Sequence, residues 1–161
     1  MVSYFAYGSN LNQEDLDKWC KKRNRPLIDL KLKSPRPCVL RDYTLDFNYY
    51  SRSRGGGAAN IEPSQGEYVE GVLFEMTKAD MQTIDIKEGA PNSYRKIPVS
   101  VILKDNEKVD GVATYTVCDK CKTHFTAPTD EYLKIMLDGA RAFGLSSAWI
   151  AKVNSIARPT T

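Results

Sequence analysis

The chain has 161 residues, 42% of them hydrophobic and 27% charged, values ordinary for a globular protein and remote from disordered or collagen-like compositions. Its 23 basic residues against 20 acidic ones give a net charge of +3, which excludes the strong electrostatic footprint of a nucleic-acid binder. No apolar run approaches the roughly 20 residues that cross a bilayer, the first residues lack a signal-peptide layout, and four cysteines are too sparse for a disulfide scaffold, so one domain over 1–161 in the cytoplasm is expected.

Val2-Ser3-Tyr4-Phe5-Ala6 reads as a short strand closed by the loop Tyr7-Gly8-Ser9-Asn10. A helix follows. Asn12 is its N-cap, Glu14 and Asp15 fill the first turn, Leu11 is placed to staple against Leu16, and Leu16, Trp19 and Cys20 form the apolar face. The basic run Lys21-Lys22-Arg23-Asn24-Arg25 reads as a solvated helix end, where cations are favourable. Residues 38–40 and 43–47 read as strands on either side of a turn at Arg41-Asp42, and the polar, glycine-rich stretch 48–57 as a mobile surface loop.

Residues 58–62 and 70–76 bracket the turn-rich Pro63-Ser64-Gln65-Gly66, which predicts two paired strands. Thr77-Lys78-Ala79-Asp80 opens a short helix as a capping box, with Met81 and Ile84 inward, and a loop over 85–93 carries Glu88-Gly89. Strands over 94–103 and 110–117 flank a polar turn at 104–108. Thr129 caps a helix whose Leu133, Met136, Leu137 and Ala140 share a face and which stops at Gly144; Ser146 or Ser147 caps a last helix holding Trp149, Ile150 and Val153. Six or seven strands with four helices and no βαβ alternation define an α+β fold.

Two places could carry chemistry. At Tyr7-Gly8-Ser9-Asn10 a glycine lets another backbone or a ligand approach, and the start of the following helix favours a carboxylate, although an ordinary turn and cap explains the same four residues. Glu88 sits in a loop rather than on a regular solvated face, although a lone loop glutamate is normally just exposed.

The run Tyr4-Phe5-Ala6-Tyr7-Gly8-Ser9-Asn10-Leu11 resembles the N-terminal signature of the γ-glutamylcyclotransferase family. Ala59-Asn60-Ile61, Gly71-Val72-Leu73-Phe74, Glu88-Gly89, Tyr94-Arg95 and Ala113-Thr114-Tyr115 follow in that family's order, and Ala127-Pro128, Tyr132, Gly139-Ala140 and Gly144-Leu145 are similar to its metazoan-type members. The resemblance implies a small mixed β-barrel flanked by helices, with a cavity at the 7–10 loop. It implies that Tyr4, Phe5, Ala6, Tyr7, Gly8 and Ser9 line the substrate site, with Asn10 shaping the loop, Glu88 as the catalytic carboxylate and Tyr115 as a substrate-contacting hydroxyl. The expected activity cyclises a γ-glutamyl group to 5-oxoproline and releases an amine, with no cofactor and no metal. A γ-glutamyl lysine or a specialised γ-glutamyl metabolite as substrate, and a binding protein of the same fold without turnover, stay open, as do monomer and homodimer. For Glu88 to take and return a proton, partial burial and a raised pKa would suit it.

Cys118-Asp119-Lys120-Cys121-Lys122-Thr123-His124 offers three zinc ligands where a closed structural site wants four, so reduced loop thiols are expected instead. Tyr43, Phe47, Tyr49 and Tyr50 near Arg52 and Arg54 invite a nucleic-acid reading, but alternate aromatics of that strand are needed for the core, and no nucleic-acid partner is expected.

Overall fold

A computed structural model describes residues 1–160. Five strands, β1 (Val2–Ala6), β2 (Arg36–Ser51), β3 (Gly56–Met76), β4 (Tyr94–Leu103) and β5 (Lys108–Val117), close into a barrel in the order β1-β3-β2-β4-β5. Neighbours pair antiparallel except at the closure, where β1 meets β5 in parallel at Tyr4 and Ala113. Four helices, α1 (Gln13–Lys22), α2 (Lys78–Lys87), α3 (Asp130–Ala142) and α4 (Ser147–Ala157), complete the α+β barrel that the sequence implies. Tyr4, Phe5 and Ala6 are buried in succession, so β1 is covered on both faces. Phe47, Ile61, Leu73, Phe74, Val101 and Val112 continue the core and Trp149 of α4 packs into it; each such side chain contributes about 1.5–3 kcal/mol of burial.

The caps are those read from the sequence. Asn12, Thr77, Thr129 and Ser146 each accept from a backbone N–H three residues on, and Asp80 returns the bond to Thr77, which completes the capping box. Each cap contributes about 1 kcal/mol to fixing where its helix starts.

Three expectations need correction. The strands expected at 38–40 and 43–47 are one strand, β2, and those at 58–62 and 70–76 are one strand, β3, whose halves pair with β2 rather than with each other. The punctuating residues form a bulge instead of two turns. The register steps from Arg41 opposite Tyr68 to Tyr43 opposite Pro63, so residues 64–67 bow out across Asp42, whose φ is 64° and whose carboxylate accepts from Gly66 N–H at 2.9 Å. Hence five long strands replace the expected six or seven.

The glycine-rich stretch is not a mobile loop either. β2 runs through Ser51, the tip closes by Gly55 N–H donating to Ser51 O at 2.8 Å, and β3 resumes at Gly56. Gly57 is buried against residues 126–127, where a Cβ would lie 1.8 Å from the Thr126 carbonyl oxygen. Finally, 85–87 belong to α2: Glu88 is its C-cap, donating its N–H to Ile84 O at 2.9 Å, and Gly89 with φ 64° ends the helix.

Candidate active site

The last turn of α2 carries Glu88 to the turn that follows β1. Glu88 Oε1 accepts from Asn10 Nδ2 at 2.9 Å, and the same amide nitrogen donates to the Tyr4 hydroxyl at 2.9 Å. Asn10 Oδ1 accepts from Lys87 Nζ at 2.8 Å, Lys87 lies 3.5 Å from Asp15 Oδ2, and Asp15 takes both guanidinium nitrogens of Arg54 at 2.7 and 2.8 Å. Arg54 in turn stands 5.2 Å from the centre of the Tyr132 ring. Residues from β1, α1, the β2–β3 hairpin, α2 and α3 are thus joined in one polar chain.

A cavity of about 30 Å³ is bounded by Tyr4, Tyr7, Ser9, Asn10 and Glu88 together with Tyr94, Tyr115 and Tyr132. Ser9, Glu88, Tyr94 and Tyr132 also border an outer cleft of about 390 Å³, so the two are continuous. Gly8 lines the cavity, whereas Phe5 and Ala6 do not. For Phe5 strand alternation explains this, because its ring points the other way, against the backbone of Gly71. Tyr94 and Tyr132 border the cavity without having been assigned a role from sequence; both stood inside matched motifs, and their hydroxyls were the available signal.

The loop reading also changes. A single 3-10 turn, Ser9–Leu11, separates the 7–10 loop from α1, and Asn12 caps α1 itself. The positive end of α1 is therefore occupied by its own cap, and the cavity is furnished by hydroxyls, an amide and a carboxylate rather than by a helix start.

Burial pushes the Glu88 carboxyl up, against the pull of Lys87, the Asn10 amide and Arg54, and the net direction is above the usual glutamate value. Burial lowers Lys87, partly offset by Glu88 and Asp15. Burial would raise Asp15 as well, but Arg54 and Lys87 outweigh it and hold the carboxyl low. Tyr132 is pushed up to about 12, chiefly by burial, and Tyr4, Tyr7, Tyr94 and Tyr115 are raised by burial too, so all five keep their protons at neutral pH.

Hydroxyl protons differ in where they go. Tyr7 donates to Tyr115 O at 2.8 Å, Tyr94 to Ala59 O at 2.7 Å, and Tyr115 to Asp85. Tyr4 and Tyr132 instead accept, Tyr4 from Asn10 and Tyr132 from Ala59 N–H at 3.1 Å, which leaves their own protons for the cavity.

The cysteine and histidine run forms no metal cluster: among the described residues no three His, Cys, Asp or Glu side chains converge to hold an ion. Cys118 and Cys121 donate to the carbonyls of Pro91 and Asn92 at 3.0 and 3.3 Å, bracing the segment after Glu88, and His124 is exposed. Of the expected stacking aromatics, Phe47 is core and Tyr49 packs edge-on against Tyr94, 5.3 Å between centres.

A closed five-stranded barrel whose cavity is lined by the Glu88 carboxylate and neutral tyrosines defines a small-molecule enzyme of the γ-glutamyl cyclotransferase fold. Residues 68–153 match the model of the AIG2-like family. The chain is 30% identical to the γ-glutamylcyclotransferase of Bos taurus over 158 residues and 30% identical to that of Homo sapiens over 165, covering 95% of itself and 77% of each relative. A solved γ-glutamyl cyclotransferase superposes with a TM-score of 0.77 at 27% identity, over 99% of this chain and 90% of the other. YkqA from Bacillus subtilis shares the fold with a TM-score of 0.80 at 24% identity, over 97% of this chain and 54% of that one. The chain therefore belongs to the γ-glutamylcyclotransferase family, within the AIG2-like proteins. Among the described residues no helix is long and apolar enough to cross a membrane.

Proposed function

We propose that this single-domain enzyme converts a γ-glutamyl amino acid or amine to 5-oxoproline and the free amine, with Glu88 moving the proton. The observation that carries the reading is the Glu88 carboxylate, partly buried and held by Asn10 of the 7–10 loop at the junction of the cavity and the outer cleft. The inner cavity has room for about one or two waters, so the substrate reaches Glu88 from the cleft, which is wide enough for the rest of the molecule.

In a γ-glutamyl amide the α-amine and the γ-carbonyl belong to one molecule, and holding them in the folded conformer supplies much of the barrier lowering. The amine arrives protonated. Glu88 takes that proton, the freed nitrogen attacks the γ-carbonyl carbon, and a five-membered ring forms with negative charge on oxygen. The hydroxyls of Tyr4 and Tyr132, with their protons uncommitted, suit that oxyanion, while Tyr115, which donates to Asp85, presents a lone pair that suits the substrate ammonium. Glu88 then returns its proton to the departing nitrogen as the carbon–nitrogen bond breaks, and it carries the second proton from the ring nitrogen to the released amine, so the lactam leaves neutral, the amine leaves as its ammonium form and Glu88 is again ionised.

All these groups come from one chain, so the reading calls on neither a second subunit nor a nucleic acid. The four cysteines are free thiols, which supports a cytoplasmic setting. The test is incubation with a panel of γ-glutamyl amino acids and detection of 5-oxoproline; absence of product from every one would favour a binding role without turnover.

A further inference from the structure

Lys87 borders the outer cleft next to Glu88 with its side chain only 5% exposed, and the proton-transfer scheme leaves it without a task. It follows no solvent-facing pattern of α2. Its Nζ is placed on Asn10 Oδ1 at 2.8 Å, while Glu88 takes the other end of the same amide. An ammonium only donates and an ionised carboxylate only accepts, so the pair admits a single orientation of the Asn10 side chain, oxygen to Lys87 and nitrogen to Glu88 and Tyr4. Asp15 and its bidentate partner Arg54 fix Lys87 from behind.

We propose that Lys87 is the positioning residue of this site: through Oδ1 of Asn10 it sets the amide that holds the Glu88 carboxylate, and Asp15 with Arg54 anchors Lys87. The inference rests on Glu88 being the proton-transfer group. Neither the Glu88 carboxylate nor the 7–10 loop defines it, since Lys87, Asp15 and Arg54 lie outside both.

Lys87 and Arg54 are the cations that act on Glu88, from α2 itself and from the hairpin, and Asp15 of α1 is the carboxylate. The remaining titratable neighbours are Tyr4 and Tyr7 at the end of β1, Tyr94 of β4, Tyr115 of β5 and Tyr132 of α3, all neutral near pH 7. Of the influences that resist the effect of burial on Glu88, the direct field of Lys87 is the largest and the hydrogen bond from Asn10, which Lys87 orients, comes next. Loss of Lys87 therefore moves Glu88 ionisation to higher pH.

The test compares wild type, Lys87→Met, Lys87→Arg, Asn10→Ala and the Lys87→Met/Asn10→Ala double variant. Two readouts are used: the pH profile of kcat/KM for 5-oxoproline formation, and titration of the Glu88 carboxyl by 13C NMR, assigned with Glu88→Gln. Lys87→Met is expected to move both the acid limb and the NMR titration up by about one pH unit and to lower turnover at pH 7 about tenfold. Lys87→Arg should restore most of it. In the Asn10→Ala background the Lys87→Met shift should shrink measurably, because the path through the amide is gone and only the direct field of Lys87 remains.

Superimposable profiles for wild type and Lys87→Met overturn the proposal, and so does a shift undiminished by Asn10→Ala, which would mean a direct field rather than positioning. If Lys87→Met does not fold, Lys87→Gln is read the same way. Because the NMR titration needs no turnover, a protein that makes no 5-oxoproline yet shows the Lys87-dependent shift sinks the functional reading and keeps the positioning.

Discussion

Arg54 at the tip of the β2–β3 hairpin holds both carboxylate oxygens of Asp15 in α1, at 2.7 and 2.8 Å, across 39 residues of sequence. Bidentate geometry and partial burial make this pair stronger than a surface ion pair, and the guanidinium also lies over the Tyr132 ring. It clamps the tip across the mouth of the outer cleft, whose lining includes both residues. Arg54→Met is expected to lower stability by about 1–2 kcal/mol in urea unfolding. It should also speed amide exchange at 53–55. An unchanged urea midpoint would show that the clamp contributes nothing.

Glu88→Gln separates chemistry from stability. Turnover should fall at least about 100-fold, since an amide cannot accept the ammonium proton. Burial holds the folded-state pKa of Glu88 above its unfolded value, so between those two values the folded state binds more protons than the unfolded state and stability falls as pH rises. The charged form is thus a cost at neutral pH that glutamine removes. The variant should be more stable than wild type by up to about 1 kcal/mol at pH 7, and the difference should vanish near pH 4, where the wild-type carboxyl is protonated. Thermal unfolding of both proteins from pH 4 to 8 reads the sign directly.

The residues that read well in the sequence act locally. Asn12, Thr77, Thr129 and Ser146 cap helices through bonds three residues long, and the pattern of each cap is complete within its own segment. Glu88, Asn10 and Tyr4, quoted from separate motifs, lie together at the cavity. What the sequence hid depends on distant partners. Pro63-Ser64-Gln65-Gly66 has the composition of a turn, and only the opposing Asp42 makes it a bulge. Phe5 could not be told from Tyr4 as a cavity residue until the barrel gave β1 an inside and an outside. Lys87, Asp15 and Arg54 are three ordinary charges until three separate elements bring them into line.

Gly57 is one of those distant dependencies, and it is testable. As part of a mobile loop it would accept a methyl group with little effect, but a Cβ here would sit 1.8 Å from Thr126 O and 2.8 Å from Thr126 C, which are backbone atoms without rotamers to move. Gly57 N–H also donates to Ala127 O at 3.0 Å, so the strand cannot withdraw without losing that bond. Gly57→Ala should cost about 2–4 kcal/mol in denaturant unfolding. A cost within about 0.5 kcal/mol would mean that the 126–127 segment yields freely.

The tyrosine hydroxyls divide by what they can still give. Tyr132 accepts from Ala59 N–H and also pairs with the Ser9 hydroxyl; with Ser9 donating, the Tyr132 proton is available to a developing oxyanion. Tyr115 has committed its proton to Asp85, which is itself paired with Lys96 at 3.1 Å, and can only accept from a substrate. An interaction that grows in the transition state appears in kcat, whereas one made equally with bound substrate appears in KM. Tyr132→Phe should therefore lower kcat by about 100-fold with KM little changed. Tyr115→Phe should raise KM several-fold, about 3- to 10-fold, with kcat nearly preserved, since only one neutral hydrogen bond to the ammonium is lost. Steady-state kinetics on one γ-glutamyl amino acid suffices, and the reverse split would exchange the two roles.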